Sequence, residues 1–122
     1  GTPLHRIVPN GWVQGGDVVD GSGKGDPGFT LSDETFAVKH DAAGIIGMAT
    51  AGQPHTAATQ FYIALSPLPF LDGKRVAFGR VLTKHAMDVL MALPSLPTFQ
   101  NERAVPDVCV ASCHVIYEPS GP

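Results

Sequence analysis

Glycine and proline punctuate this chain so densely that its apolar segments meet a turn before they can run far: 14 glycines and 11 prolines stand among 122 residues. Glycine takes up backbone conformations that other residues avoid, and proline fixes φ and removes an N–H. Long helices are therefore interrupted, and short strands joined by turns are what remain. With 43% hydrophobic and only 16% charged residues, the expectation is a packed, mostly β globule forming one domain over residues 1–122.

Leu4 to Val8 and Trp12 to Val19 are apolar and rich in β-branched residues, and Pro9-Asn10-Gly11 between them is a turn sequence, so a β-hairpin is expected. Residues 20–33 are too polar and glycine-rich for a core element. They lack the flanking strand, Lys-Ser/Thr pair and helix of a phosphate-binding loop, and read as a surface loop. Glu34 to His40 reads as a short turn and strand, and Gly44 to Ala49 as a closely packed segment. A second loop over Gly52 to Thr59 precedes the strongly β-prone Gln60 to Leu65, and Asp72-Gly73 is a turn signal before Val76 to Leu82. One segment reads as a helix, Lys84 to Leu93: Met87, Leu90 and Met91 recur at helical spacing as core residues, Thr83 caps the start and Pro94 stops it. Val108 to Tyr117 is expected to be the last strand.

A net charge of −3 with scattered lysines and arginines offers no field for a phosphate backbone, so nucleic acid is not an expected partner. No apolar run approaches the roughly 20 residues that span a bilayer, and no membrane association is expected. Cys109 and Cys113 would lie about 13 Å apart along a strand, too far for a disulfide. Free thiols, a reducing compartment and a cytoplasmic location follow. No metal and no cofactor is expected, because no second ligand pair accompanies Cys109, Cys113 and His114.

Four blocks in fixed order carry a resemblance. Leu4-His5-Arg6-Ile7-Val8-Pro9 with Gln14-Gly15-Gly16-Asp17 comes first, then Gly44-Ile45-Ile46-Gly47-Met48-Ala49. Thr59-Gln60-Phe61-Tyr62-Ile63 follows, then Phe70-Leu71-Asp72-Gly73-Lys74 leading to Val76-Ala77-Phe78-Gly79. Together they resemble the cyclophilin-type peptidyl-prolyl cis-trans isomerases. Within that family His5 to Trp12 and Pro97 to Arg103 are most similar to the divergent peptidyl-prolyl isomerase-like 6 branch. The resemblance implies a cyclophilin-like antiparallel β-barrel with a capping helix. It begins at the family's third strand, so the N-terminal strands of the family fold have no counterpart here, and an open edge that aggregates or recruits another strand is expected. The branch is associated with cilia and with weak or absent activity, which adds the cilium as a location.

An X-Pro amide rotates slowly because resonance stiffens its C–N bond, and a catalyst must weaken that resonance by donating a hydrogen bond to the prolyl nitrogen in a dry site. Arginine, a fork of permanently charged donors, suits the task, although a lone arginine is ordinarily a solvated surface charge. The resemblance puts Arg6 in the catalytic role, with Gln14 orienting it and the substrate carbonyl, and Gln60 along the peptide's path. It puts Met48, Tyr62 and Leu71 in or beside the proline pocket, with Trp12 and Phe70 at its border and Arg75 where the family has a histidine. Met48, Tyr62, Leu71, Trp12 and Phe70 also suit ordinary barrel core. Ala49, Thr50 and Ala51 match the backbone stretch that pairs with bound peptide as an added strand. Four positions depart from the family: Gly11 stands for a pocket Phe, Thr50 for Asn, Phe70 for Trp or Tyr, and Arg75 for His. The expected function is a peptidyl-prolyl isomerase of reduced activity acting on proline-containing peptides or proteins. The alternative is a catalytically inactive structural or proline-binding module in a larger assembly such as a ciliary axoneme.

Overall fold

The computed structural model describes residues 1–116. Five strands form one antiparallel sheet: β1 (Arg6–Val8), β2 (Trp12–Gly15), β3 (Ile45–Met48), β4 (Phe61–Ala64) and β5 (Ala77–Arg80), in the order β1-β2-β4-β3-β5. The β1–β2 hairpin pairs Arg6 with Gln14, Ile7 with Val13 and Val8 with Trp12. Asn10 takes the left-handed conformation at its tip, with φ 63°, and the Gly11 N–H closes the turn on the Val8 carbonyl at 2.9 Å.

Side chains alternate across a strand, so one face of the sheet carries Ile7, Val13 and Ile63. These meet Leu90 of the helix α1 (Lys84–Ala92), together with Leu65 and Ala104, to make the core; Leu4, Val81, Met87, Leu93 and Val108 pack around it. The helix begins as expected, with the Thr83 hydroxyl accepting from the Ala86 N–H. After Ala92 the chain tightens into a short 3₁₀ turn, Leu93–Ser95, holding Pro94. Met91, expected in the core, is exposed, because the buried stripe of a helix this short is filled by Met87 and Leu90.

Several sequence expectations are corrected. The second strand ends at Gly15 rather than Val19, because Gly16 turns to φ 91° and leaves the extended region. Glu34 to His40 forms no strand; its backbone is used in side-chain contacts instead. Val108 to Tyr117 is not a strand: only residues 108–110 pair, through Leu4 N–H to Val108 O at 2.7 Å and Val110 N–H to Thr2 O at 2.9 Å. These two bonds flank Pro3 and Cys109, which face each other in an isolated bridge, and Tyr117 lies outside the described residues. The sheet stays open among the described residues, with β1 and β5 at its edges, since five short strands do not close a barrel of roughly eight. Cys109 and Cys113 are both free and exposed. No helix among the described residues is long and apolar enough to cross a membrane.

Candidate functional site

The pairing registers align Arg6, Gln14, Tyr62 and Gly47 in one row across β1, β2, β4 and β3, so all four point to the face opposite the core. Trp12, two residues before Gln14, shares that face. Its indole N–H donates to Gln14 Oε1 at 3.2 Å, Gln14 Nε2 donates to Gln60 Oε1 at 3.1 Å, and Gln60 Nε2 donates to the Gly23 carbonyl at 3.0 Å. This chain of bonds fixes both amides. Arg6 lies with its Cζ 5.1 Å from the Trp12 ring centre and its Nε 2.8 Å from Glu102 Oε1. Its side chain is 41% exposed, so the guanidinium is reachable from solvent.

Beside Gln14 and Gln60 opens a cavity of about 410 Å³ that also touches Ala49, Thr50 and Ala51, together with Lys24 and Phe29 from the glycine-rich loop. That loop is shaped by Asp17, whose buried carboxylate accepts N–H bonds from Val19, Asp20, Gly23 and Gly25. Burial opposes the charge, but the Gly25, Gly23, Asp20 and Val19 N–H groups outweigh it and hold the carboxyl far below its usual range. Next to it His5 is buried with Nδ1 unpartnered, and burial lowers its affinity for a proton.

Phe70 and Leu71 sit on a 3₁₀ turn, Pro69–Leu71, from which Arg75 hangs by its N–H to the Leu71 carbonyl at 3.0 Å. Phe70 is exposed. A buried histidine ties this wall to the row. His40 is 0% exposed; its N–H donates to Asp72 Oδ1 at 2.7 Å, its carbonyl accepts from the Leu68 N–H at 2.9 Å, and Nδ1 lies 2.9 Å from Asp72 Oδ1. Its Nε2 meets the Tyr62 hydroxyl at 2.5 Å. The backbone and ring N–H groups of His40 hold the Asp72 carboxyl below its usual range. Ionised Asp72 accepts only, so Nδ1 donates to it; in the neutral ring Nε2 is then the acceptor for the Tyr62 hydroxyl. Burial pushes the Tyr62 hydroxyl up to about 12, with Arg75 opposing and Asp72 adding to the shift, so the phenol keeps its proton.

The fold thus gathers Arg6, Trp12, Gln14, Gln60, Tyr62 and the Ala49–Ala51 backbone on one face, and links Leu71, Phe70 and Arg75 to them through His40. Met48 stands apart. It pairs with Phe61, faces the other side of the sheet, and lines a separate cavity of about 490 Å³ with Leu31, Val76 and Phe78. Sequence reasoning missed His40 and Glu102, and read Asp72 only as a turn residue. The Asp72–His40 contact joins positions 32 apart and the Glu102–Arg6 contact positions 96 apart, so no local pattern announces either. Among the described residues no group of acidic, histidine or cysteine side chains is placed to hold a metal.

A family model for cyclophilin type peptidyl-prolyl cis-trans isomerase/CLD matches residues 1–115. The chain is 43% identical over 122 residues to the probable inactive peptidyl-prolyl cis-trans isomerase-like 6 of Bos taurus, covering 96% of this chain and 38% of that protein. To its Homo sapiens counterpart it is 48% identical over 107 residues, covering 84% of this chain and 32% of that protein. The chain therefore spans about a third of the length of these relatives. Its fold matches a Cryptosporidium parvum cyclophilin type isomerase, solved in the presence of the dipeptide Ala-Pro. The TM-score is 0.74 at 30% identity, over 87% of this chain and 68% of that one. With an open antiparallel sheet, a row carrying Arg6 and Gln14, and a family match over almost its whole length, the chain belongs to the cyclophilin-type peptidyl-prolyl cis-trans isomerases.

Proposed function

We propose that the Arg6–Gln14 face binds X-Pro segments of proteins and accelerates rotation about the X-Pro bond, with reduced activity. The observation that carries this reading is the cross-strand pairing of Arg6 with Gln14 on a solvent-reachable face. Rotation needs no nucleophile, only relief of a barrier of about 18–20 kcal/mol held up by amide resonance. Arg6 supplies the donor for the prolyl nitrogen as it becomes pyramidal. Gln14, its amide fixed by Trp12 and Gln60, orients the substrate carbonyl. The Ala49–Ala51 backbone beside the 410 Å³ cavity offers an edge on which the peptide adds as a strand.

Reduced activity follows from the proline end. Gly11 contributes no side chain, and Tyr62 is drawn inward to His40 rather than standing free, so apolar contact with the ring is short by roughly one aromatic, worth about 1–3 kcal/mol. A Cβ at Gly11 would stand 3.0 Å from Val8 Cγ1 and 3.3 Å from the Val8 carbonyl oxygen, so Gly11→Phe requires the Val8 side chain and the turn to give by a few tenths of an ångström.

The test is Arg6→Ala, read by NMR exchange on an X-Pro peptide. The isomerase reading expects the rate to fall at least about tenfold, or ~1.4 kcal/mol, with a smaller loss of peptide affinity. A second reading, a non-catalytic proline-binding module of a larger assembly such as an axoneme, is favoured by the ion pair that already occupies Arg6 and by the probable inactive label of the mammalian relatives. That reading expects Arg6→Ala to change affinity alone, and Gly11→Phe to leave a near-zero rate unchanged.

A further inference from the structure

We infer that Glu102 is a specificity-determining residue of the proline site: it competes with the substrate for Arg6 and favours X-Pro segments that carry a basic residue beside the proline. This rests on the reading of the face as an X-Pro site. The Glu102 carboxylate takes Arg6 Nε at 2.8 Å, and a docked turn presents it there. The Glu102 N–H donates to the Phe99 carbonyl at 2.9 Å, the Phe99 N–H donates to the Arg103 carbonyl at 2.8 Å, and Thr98 bridges Ala104. The Ile7 N–H of β1 donates to the Glu102 carbonyl at 2.7 Å, and Ala104 is locked in the core. Glu102 itself sits at φ 69°, so the chain accepts an unfavourable backbone conformation at the residue that faces Arg6. On its other side Arg6 meets the Trp12 ring.

Arg6 must offer its N–H groups to the substrate, yet in the free protein one of them already serves a carboxylate. Side chains exposed to 41% and 35% make this pair weak enough to be exchanged. A lysine or arginine next to the X-Pro unit gives Glu102 a new partner, so Arg6 is released to the substrate while the Glu102 carboxylate stays paired. A neutral peptide leaves Glu102 competing for Arg6, and an acidic peptide adds repulsion at Glu102.

The experiment is a fluorescence titration of Trp12, the single tryptophan of the chain and a direct neighbour of Arg6, with three matched X-Pro peptides flanked by Lys, Ala or Glu. The expected order in the wild type is Lys over Ala over Glu, with about three- to fivefold between the first two. Glu102→Gln keeps an acceptor for Nε without the charge. It should bring the three affinities within about twofold and tighten the Ala peptide; Glu102→Lys should invert the order. Wild-type binding that ignores flanking charge, or a preference that survives in Glu102→Gln, overturns the inference while leaving the X-Pro reading intact. If no peptide of any charge perturbs Trp12 or the backbone amide spectrum of β1 and β2, the X-Pro reading itself falls, and this inference falls with it.

Discussion

Gly47→Ala places a methyl group where the Tyr62 phenol now lies. The added Cβ would overlap the Tyr62 hydroxyl and Cζ and stand 2.9 Å from Cε2, so the ring cannot remain in place. Overpacking of this kind costs about 1–3 kcal/mol. Moving the ring also parts the hydroxyl from His40 Nε2, and stranding a buried polar group costs about 1–3 kcal/mol more. The expected loss is therefore about 2–6 kcal/mol, a large share of the ~5–15 kcal/mol that holds a domain together. Each kcal/mol lowers Tm by roughly 3–6 °C at this chain length. Tyr62→Phe alone should cost about 1–2 kcal/mol, because it removes the hydroxyl and leaves Nε2 without its donor. In the double variant the ring is no longer tethered to His40 and moves aside, so the combined loss should fall short of the sum by at least about 1 kcal/mol. Urea unfolding of the four proteins measures the cycle. A Gly47→Ala protein within about 0.5 kcal/mol of wild type, or strict additivity in the double variant, would refute the idea that glycine is present to seat the tyrosine.

Acid should act in two windows. The proton affinity of folded His5 lies below its ordinary 6.5, chiefly by burial, with Arg103 and Arg6 assisting and Asp17 opposing, so the unfolded chain binds that proton first and stability declines as pH falls beneath 6.5. Asp17 is depressed from its ordinary 3.8, so its contribution is complete above that value and drains away below it. Urea midpoints from pH 7 to 3 should show both phases, with the upper one absent in His5→Gln; a flat response between pH 7 and 5 in wild type would contradict the burial argument. Both thiols are exposed, so iodoacetamide should label Cys109 and Cys113 in the folded, unreduced protein, and a protected pair would mean that a disulfide forms.

The sequence by itself determined what local chemistry determines. The turn at Pro9-Asn10-Gly11 set the hairpin, because left-handed backbone at Asn10 and a small Gly11 close it without help from elsewhere. Thr83 and Pro94 bounded the helix for the same reason. The four ordered blocks carried the family, and with it Arg6 and Gln14, whose pairing needs only the hairpin register. Periodicity overreached where continuation depended on a partner strand: residues 111–116 alternate well, yet nothing among the described residues pairs with them, and extended backbone without a partner is not a strand. Only the tertiary structure decided the surroundings of the site. Sheet pairing set Tyr62 beside Gln14 and turned Met48 to the opposite face, a choice that a one-residue change of register would reverse. Chain closure brought His40 to Asp72 and Tyr62, and Glu102 to Arg6, across separations over which sequence pattern carries no signal. Those contacts depend on where loops land after the core has packed, and that is a property of the whole chain rather than of any segment.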